Sequence, residues 1–390
     1  MNDFTFYSPT YFVFGKSAES QVARMVTRFG GTHVLIHYGG GSAERSGLLG
    51  LIRTMLEDAG IPFDELGGVL PNPRSGLVYE GIELCRAKGI DFVLAVGGGN
   101  VIDSAKAIAA GAACDNDFWD YFSQHKPVVN ALPVGTVLTI PAAGSEGSPD
   151  CVITMEDGML KRGMTGEGLR PAFSLLNPLL TCTLPPFQTA CGAADIMAHV
   201  MERYFTRTED VEVTDRLCEA LLATMVHEVP RVIADPDDYG ARANIMWAGM
   251  VAHNNIVGVG REQDWSSHNL EHELSALYDV AHGAGLAVVF PAWMAYVYKT
   301  DVTRFAQFAN RVFGIPMDFD NPEQTAVEGI ARLKSTFESF GLPTDFAGLG
   351  ADEKDIPFMV EKLGLTDGRM LGGFVKLTAQ DCDAIYRLML

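Results

Sequence analysis

The sequence is short of basic residues, sparing with cysteine, and has no long apolar run. Lysine and arginine total 29 against 49 for aspartate and glutamate, a formal net charge of -20 at pH 7. A field of that sign repels phosphate backbones, which argues against a nucleic-acid partner. An anionic ligand must then be held by local backbone groups and a few basic side chains. The seven cysteines (Cys85, Cys114, Cys151, Cys182, Cys191, Cys218 and Cys382) are odd in number and scattered. No pair has the spacing of a thiolate zinc site, and no disulfide framework is implied, so reduced thiols in a cytoplasmic protein are expected. No apolar stretch reaches the roughly 18 residues of a membrane span. The opening MNDFTFYSPTYFVFG lacks the basic-then-apolar order of a secretion signal. Neither the Rossmann GxGxxG pattern nor a Walker A loop occurs.

What is present is a chain of 390 residues, 47% hydrophobic, enough for two domains with sizeable cores. The first half alternates strand-like and helix-like segments. THVLIHY, residues 32–38, reads as a buried strand that stops at Gly39-Gly40-Gly41. GLLGLIRTMLEDAG and GLVYEGIELCRAKG have helical spacing and end at Gly60 and Gly89, plausible C-caps. Between them PFDELGGVLPNP is turn-rich, with room for a short strand. DFVLAVGGGN is again strand then glycine loop, and VIDSAKAIAAGAA a helix. This alternation predicts a mostly parallel sheet with helices on both faces. After Leu184-Pro185-Pro186 the periodicity becomes helical throughout, as in ADIMAHVMERYF, TDRLCEALLATMVHEV and ARANIMWAGMVAHNNI. The expected organisation is an α/β dinucleotide-binding domain over residues 1–187 and an all-α domain over residues 188–390.

Two glycine loops carry the binding signal. Gly97-Gly98-Gly99 follows a predicted buried strand and opens a predicted helix, a geometry that aims backbone amides and a helix N-terminus at one point. Gly39-Gly40-Gly41-Ser42 repeats the theme one strand earlier. At the carboxyl ends of neighbouring strands the two would line a dinucleotide crevice. Lys106 and the pair Lys161-Arg162 lie nearby; a single lysine is by default a solvated one.

The second signal is a set of metal-ligating side chains. Asp195 and His199 stand four apart, on one face of a predicted helix. Such a pair alone is more often a hydrogen-bonded couple. His268, His272 and His282, three of nine histidines within one short stretch, shift the balance. One carboxylate and three imidazoles suit Fe(II) or Zn(II), not calcium or magnesium. His33 and His37 on a strand, His125 in a loop, His227 near a helix end and His253 read as packed or surface histidines.

The ordered motifs resemble one family over nearly the whole chain. They are the Gly39 loop, Pro71-Asn72-Pro73, GGGNVIDSAKAIA, Gly144-Ser145-Glu146, the LPP at 184–186, GAADIMAHVMERY and DWSSHNLEHELSALYDVAHGAGLAVVFP. The chain resembles the iron-containing alcohol dehydrogenases, in their butanol dehydrogenase-like aldehyde reductase branch. The resemblance implies a metal bound by Asp195, His199, His268 and His282, in a cleft between the two domains. It implies cofactor contacts from Gly39, Gly40, Ser42, Asn72, Gly98, Gly99, Asp103, Thr139 and Lys161, and it puts His272 near the substrate as a proton relay or a packing group. Asn100 stands where many relatives have serine and can still donate to a phosphate. Ala143 removes a common hydroxyl, and Glu44-Arg45 replaces a basic pair. Gly40 and Gly41 supply no carboxylate against a 2′-phosphate, and Arg45 could contact one, so NADP is expected over NAD. Trp265, Asn254, Phe290 and Trp293 are expected to line a partly apolar pocket for small aliphatic aldehydes or alcohols.

The implied activity is interconversion of primary alcohols and aldehydes with NAD(P)H, by an enzyme expected to be a homodimer with no nucleic-acid or membrane partner. The aromatic N-terminal segment could serve as a dimerising edge strand. The alternatives are a zinc glycerol dehydrogenase-like polyol oxidoreductase and a non-enzymatic nucleotide-sensing metal protein.

Overall fold

The computed structural model describes residues 1–366 and 368–390, which divide into two compact units. The first consists of Tyr7–Thr183 and the second of Leu184–Leu390 together with Met1–Phe6.

The α/β unit contains β1 (Tyr11–Phe14), α1 (Val22–Arg28), β2 (Val34–Gly39), α2 (Ser42–Arg45), α3 (Leu48–Asp58), β3 (Phe63–Val69), α4 (Ser75–Lys88), β4 (Phe92–Gly98), α5 (Gly99–Ala112) and α6 (Asp120–Ser123). These are followed by β5 (Val134–Ile140), β6 (Asp150–Met155), β7 (Leu160–Thr165) and β8 (Phe173–Leu176). Among the described residues, six strands form a sheet in the order β1-β8-β5-β4-β2-β3, every pair parallel. The continuous apolar run of β4 is buried throughout, as a central strand covered on both faces must be. Alternation along β2 divides the two faces. Val34 and Ile36 pack in one cluster with Val26 of α1 and Ile52 of α3. His37 turns the other way and its Nε2 meets Ser104 Oγ of α5 at 2.8 Å. The turn-rich segment before Pro71 is a full seven-residue edge strand, β3. β6 and β7 form a separate antiparallel pair.

From β2 the chain goes outward to β3, then crosses back to β4 on the other side of β2. That reversal opens a crevice at the carboxyl ends of β2 and β4, where both glycine loops lie.

The helical unit comprises α7 (Pro186–Tyr204), α8 (Glu212–Ala234), α9 (Tyr239–His253), α10 (Ser266–Tyr278), α11 (His282–Val297), α12 (Val302–Phe313), α13 (Pro322–Ser339), α14 (Phe346–Leu349), α15 (Ile356–Lys362) and α16 (Ala379–Arg387). Pro186 occupies the first helical position of α7, where a missing N–H costs nothing. From Thr189 onward α7 is buried on all sides, so it is the axial helix of the unit. Asp215 of α8 receives Arg261 Nη2 at 2.8 Å and Arg304 Nη1 at 2.5 Å, a paired charge inside the helical core. None of the seven cysteines is in a disulfide. Among the described residues, no helix is long and apolar enough to cross a membrane.

Candidate metal centre and dinucleotide site

The dinucleotide loops are explained only partly by packing. A Cβ on Gly97 would fall 2.5 Å from Val101 Cγ2 of α5, and one on Gly98 would fall 2.9 Å from Ile140 Cβ of β5, so close packing against the helix and the neighbouring strand already demands glycine at both. A Cβ on Gly40 would meet nothing within 4 Å. Packing does not require glycine there, and the missing side chain leaves the backbone open to close approach. Gly39, Gly98 and Thr139 belong to β2, β4 and β5, which are adjacent in the sheet, while Gly99 and Asn100 open α5. Ser42 and Arg45 form the short α2, and Arg45 Nη1 leans to 3.2 Å from where a Gly41 Cβ would stand. Glu44 does not face that loop alone. Arg53 holds both its oxygens, at 2.9 and 2.8 Å, and also binds Glu65. Asn72 is buried, and its Oδ1 accepts from Lys161 Nζ at 3.0 Å, which joins the residues after β3 to β7.

Asp103 lies one turn into α5. Its Oδ1 accepts from Ser145 Oγ at 2.5 Å and its Oδ2 from Val152 N at 2.9 Å, so the carboxylate locks the Gly144-Ser145-Glu146 turn and β6 onto the helix. Burial raises its pKa. Lys106, expected to be solvated, is fully buried. The correction has a clear cause: α5 is covered around most of its circumference, so a lysine one turn beyond Asp103 points inward. Its Nζ donates to Ser145 Oγ at 2.8 Å, Ser148 O at 3.0 Å and Asp150 O at 2.7 Å.

The metal candidates come from three helices of the helical unit. α7 carries Asp195 and His199, α10 carries His268 and His272, and His282 is the first residue of α11. One ligand atom each of Asp195, His268 and His282 lies within 4.8 Å of the others. His199 Nε2 is 3.3 Å and His282 Nε2 3.9 Å from Asp195 Oδ1. Donors about 2.1 Å from a tetrahedral ion stand about 3.4 Å apart, so these spacings match a shared ion. The imidazole of His199 is held neutral by burial, then by His253, His268 and Arg203, and the neutral form is the one that binds metal.

Sequence reasoning missed two carboxylates. Glu202 and Glu271 are both fully buried. Glu202 Oε1 accepts from His268 Nδ1 at 2.8 Å, and Glu271 Oε2 accepts from His282 Nδ1. Burial pushes the Glu202 carboxyl up to about 7. The signal was there: Glu202 continues the Asp195–His199 face at i+7, and Glu271 follows His268 at i+3. Glu271, His272 and His282 also have ligand atoms within 4.8 Å of one another, but Glu271 Oε2 is already taken by His282. His272 is half-buried with its ring 5.6 Å from that of His282.

His253 is a packed, buried histidine that stands beside this site. Its ring centroid is 4.0 Å from that of His199, and Arg203 Nη2 bonds its Nδ1 at 2.8 Å. Trp265 stands beside His268 at 5.1 Å between ring centroids. Asn254 ends α9 and its Oδ1 accepts from Ile256 N. Phe290 and Trp293 are not pocket residues. Both are completely buried in an aromatic core with Phe205 and Phe305, because α11 is apolar on every side.

Two family models match the chain: iron-containing alcohol dehydrogenase over residues 9–178, and the C-terminal model of the Fe-containing alcohol dehydrogenase family over residues 189–390. The probable NADH-dependent butanol dehydrogenase 2 of Bacillus subtilis is 41% identical over 100% of both chains. The NADPH-dependent aldehyde reductase YqhD of Escherichia coli is 36% identical over 93% of each. The crystal structure of NADH-dependent butanol dehydrogenase A from Thermotoga maritima superposes with a TM-score of 0.96 at 38% identity, covering 100% of this chain and 99% of that one. The chain belongs to the iron-containing alcohol dehydrogenase family, in its butanol dehydrogenase-like group. It is an enzyme of alcohol and aldehyde oxidoreduction, and the polyol and sensor alternatives are not favoured.

Proposed function

We propose that this enzyme reduces small aliphatic aldehydes to primary alcohols with NAD(P)H, at one divalent ion held by Asp195, His199, His268 and His282. The observation that carries the reading is the convergence of Asp195, His268 and His282 within 4.8 Å, with His199 Nε2 at 3.3 Å from the same carboxylate. The donor set admits iron or zinc, and the family name favours iron. When bound, the ion supplies Lewis-acid polarisation of a carbonyl and the nicotinamide supplies hydride. The protein's own part begins at the crevice of β2 and β4. There Gly39, Gly40, Gly98, Gly99 and Asn100 offer backbone and amide donors to the pyrophosphate, with Ser42, Asn72, Thr139 and Lys161 around them. Asp103 shapes the turn that borders this crevice. Arg45, whose Nη1 stands beside Gly41, would contact the 2′-phosphate of NADPH, and Arg53, which holds both oxygens of Glu44, would keep that carboxylate from opposing it. His272, one helical turn from His268, hands a proton to the product oxygen.

The acidic surface disfavours nucleic acid, and the free thiols suit the cytoplasm. β1 is an edge strand with Tyr11 and Phe14 exposed, which suits strand pairing in a homodimer.

The test is metal analysis of anaerobically purified protein, coupled to butanal reduction with NADH and NADPH in parallel. His268→Ala should lose the ion and nearly all turnover while keeping the fold. His272→Ala should keep the ion and slow the reaction. A fully active, metal-replete His268→Ala variant would sink the assignment, and cofactor binding without steady oxidation would favour a sensor.

A further inference from the structure

We infer that Glu202 and Glu271 are positioning residues for the metal, each fixing the tautomer and ring angle of one histidine ligand. The inference rests on the ion site proposed above and extends it outward by one layer.

An imidazole can bind an ion only through a nitrogen that carries a lone pair, and the other nitrogen then carries the proton. At His268 the proton has a definite place, because Nδ1 stands 2.8 Å from Glu202 Oε1. That bond makes Nδ1–H the donor and assigns the lone pair to Nε2. At His282 the same arrangement recurs with a different carboxylate: Nδ1–H donates to Glu271 Oε2, and Nε2 lies 3.9 Å from Asp195 Oδ1. Neither carboxylate is free to drift. Glu202 Oε2 also accepts from Trp265 N at 2.7 Å, and its Oε1 from His268 N at 3.0 Å, so α7 grips the first turn of α10 at backbone level. The remaining oxygen of Glu271 is held by Ser275 Oγ. Both glutamates are fully buried, where an unpaired carboxylate is costly, so each has a strong reason to keep its imidazole partner. Among the described residues, His199 Nδ1 has no hydrogen-bond partner, so the third imidazole has no such support. The two supported ligands sit on α10 and α11, the two helices that α7 must hold in register.

The two glutamates therefore raise the basicity of His268 and His282 and remove the entropy of ring rotation before the ion arrives. Loss of such a partner ordinarily lowers metal affinity by about 10–100-fold. The cleaner variant is Glu271→Met, close in size but unable to accept from His282, so that Nδ1–H loses the partner that fixes its tautomer and ring angle. Glu202→Gln places an amide against backbone N–H donors and serves as the second variant.

The experiment titrates metal-free wild type and both variants with Zn(II) against a chromogenic chelator, and measures the melting temperature of each metal-free protein. The expected result is one ion per chain in wild type, at least about tenfold weaker Zn(II) binding in Glu271→Met, and a metal-free melting temperature for that variant close to that of wild type. Zn(II) affinity within twofold of wild type in both variants, whatever their melting temperatures, overturns the positioning role and leaves the four-ligand site intact. A wild type that takes up no stoichiometric Zn(II) overturns both.

Discussion

At Gly283 the sequence leaves no room for a methyl group, and the consequence reaches the metal ligands. A Cβ there would fall 2.6 Å from the carbonyl carbon of Cys191 and 2.9 Å from its Cα, and nearer still to its oxygen. Carbon atoms in comfortable contact stand about 3.5–4.0 Å apart. Gly283→Ala must therefore part α11 from α7 by about 1 Å. His282 is the residue before Gly283, and Asp195 lies one turn along α7 from Cys191. The same 1 Å shift would lengthen the 3.9 Å spacing between His282 Nε2 and Asp195 Oδ1. Metal sites tolerate only about 0.2 Å in ligand distance. Overpacking of this kind costs about 1–3 kcal/mol, against the roughly 1 kcal/mol that alanine normally gains over glycine in a helix. Differential scanning calorimetry should show the helical unit melting several degrees lower, and metal analysis should show an ion lost on mild chelation. A Gly283→Ala variant that melts higher than wild type and keeps its ion would refute the reasoning, because the helices would then have had slack.

Three further outcomes are expected. Lys106→Met should destabilise the α/β unit by about 3 kcal/mol, read as a lower denaturation midpoint, since it strips a buried cation from Ser148 O and Asp150 O and leaves Asp103 without its counter-charge. Arg53→Ala should release Glu44 and weaken NADPH about threefold at low salt with little change for NADH, measured by quenching of protein fluorescence. His37 is pushed down to about 4 by burial, partly offset by its bond to Leu66 O. The unfolded chain thus binds this proton below about pH 6.5 while the native one does not, so stability falls as pH drops towards 4. Between pH 6.5 and 5 the loss is about 1.5 kcal/mol, and His37→Gln should remove that part of the slope in pH-dependent melts.

Much of this was legible in the sequence because periodicity and glycine report local geometry. β2, β4 and α5 lie within a residue or two of where apolar runs and helical spacing put them, while α7 begins at Pro186, eight residues before the ADIMAHVMERYF stretch. Asp195 and His199 share a face because four residues make about one turn. β3 was harder, since an edge strand buries only part of its surface and FDELGGV does not read as an apolar run. The roles of Glu202 and Glu271 were hidden for another reason: a buried glutamate looks like any helical glutamate until a second helix brings its partner. Lys106 was misjudged on the same ground, and Phe290 and Trp293 were misplaced because an aromatic side chain serves a core and a pocket equally well. Which histidines converge depends on how α10 and α11 meet α7, a long-range fact that spacing along the chain does not contain.

All four candidate ligands lie in the helical unit, with none in the α/β unit. Occupancy of the ion is therefore linked by mass action to the folding equilibrium of one unit only. An ion present at a hundred times its dissociation constant would add about 2.7 kcal/mol to that unit's resistance to unfolding. The dinucleotide crevice would draw no direct benefit. A chain without the ion would then lack that increment in its helical unit alone, so removal of the metal should lower the resistance of α7 to proteolysis relative to the loaded protein. Metal supply would set the lifetime of the protein as well as its turnover.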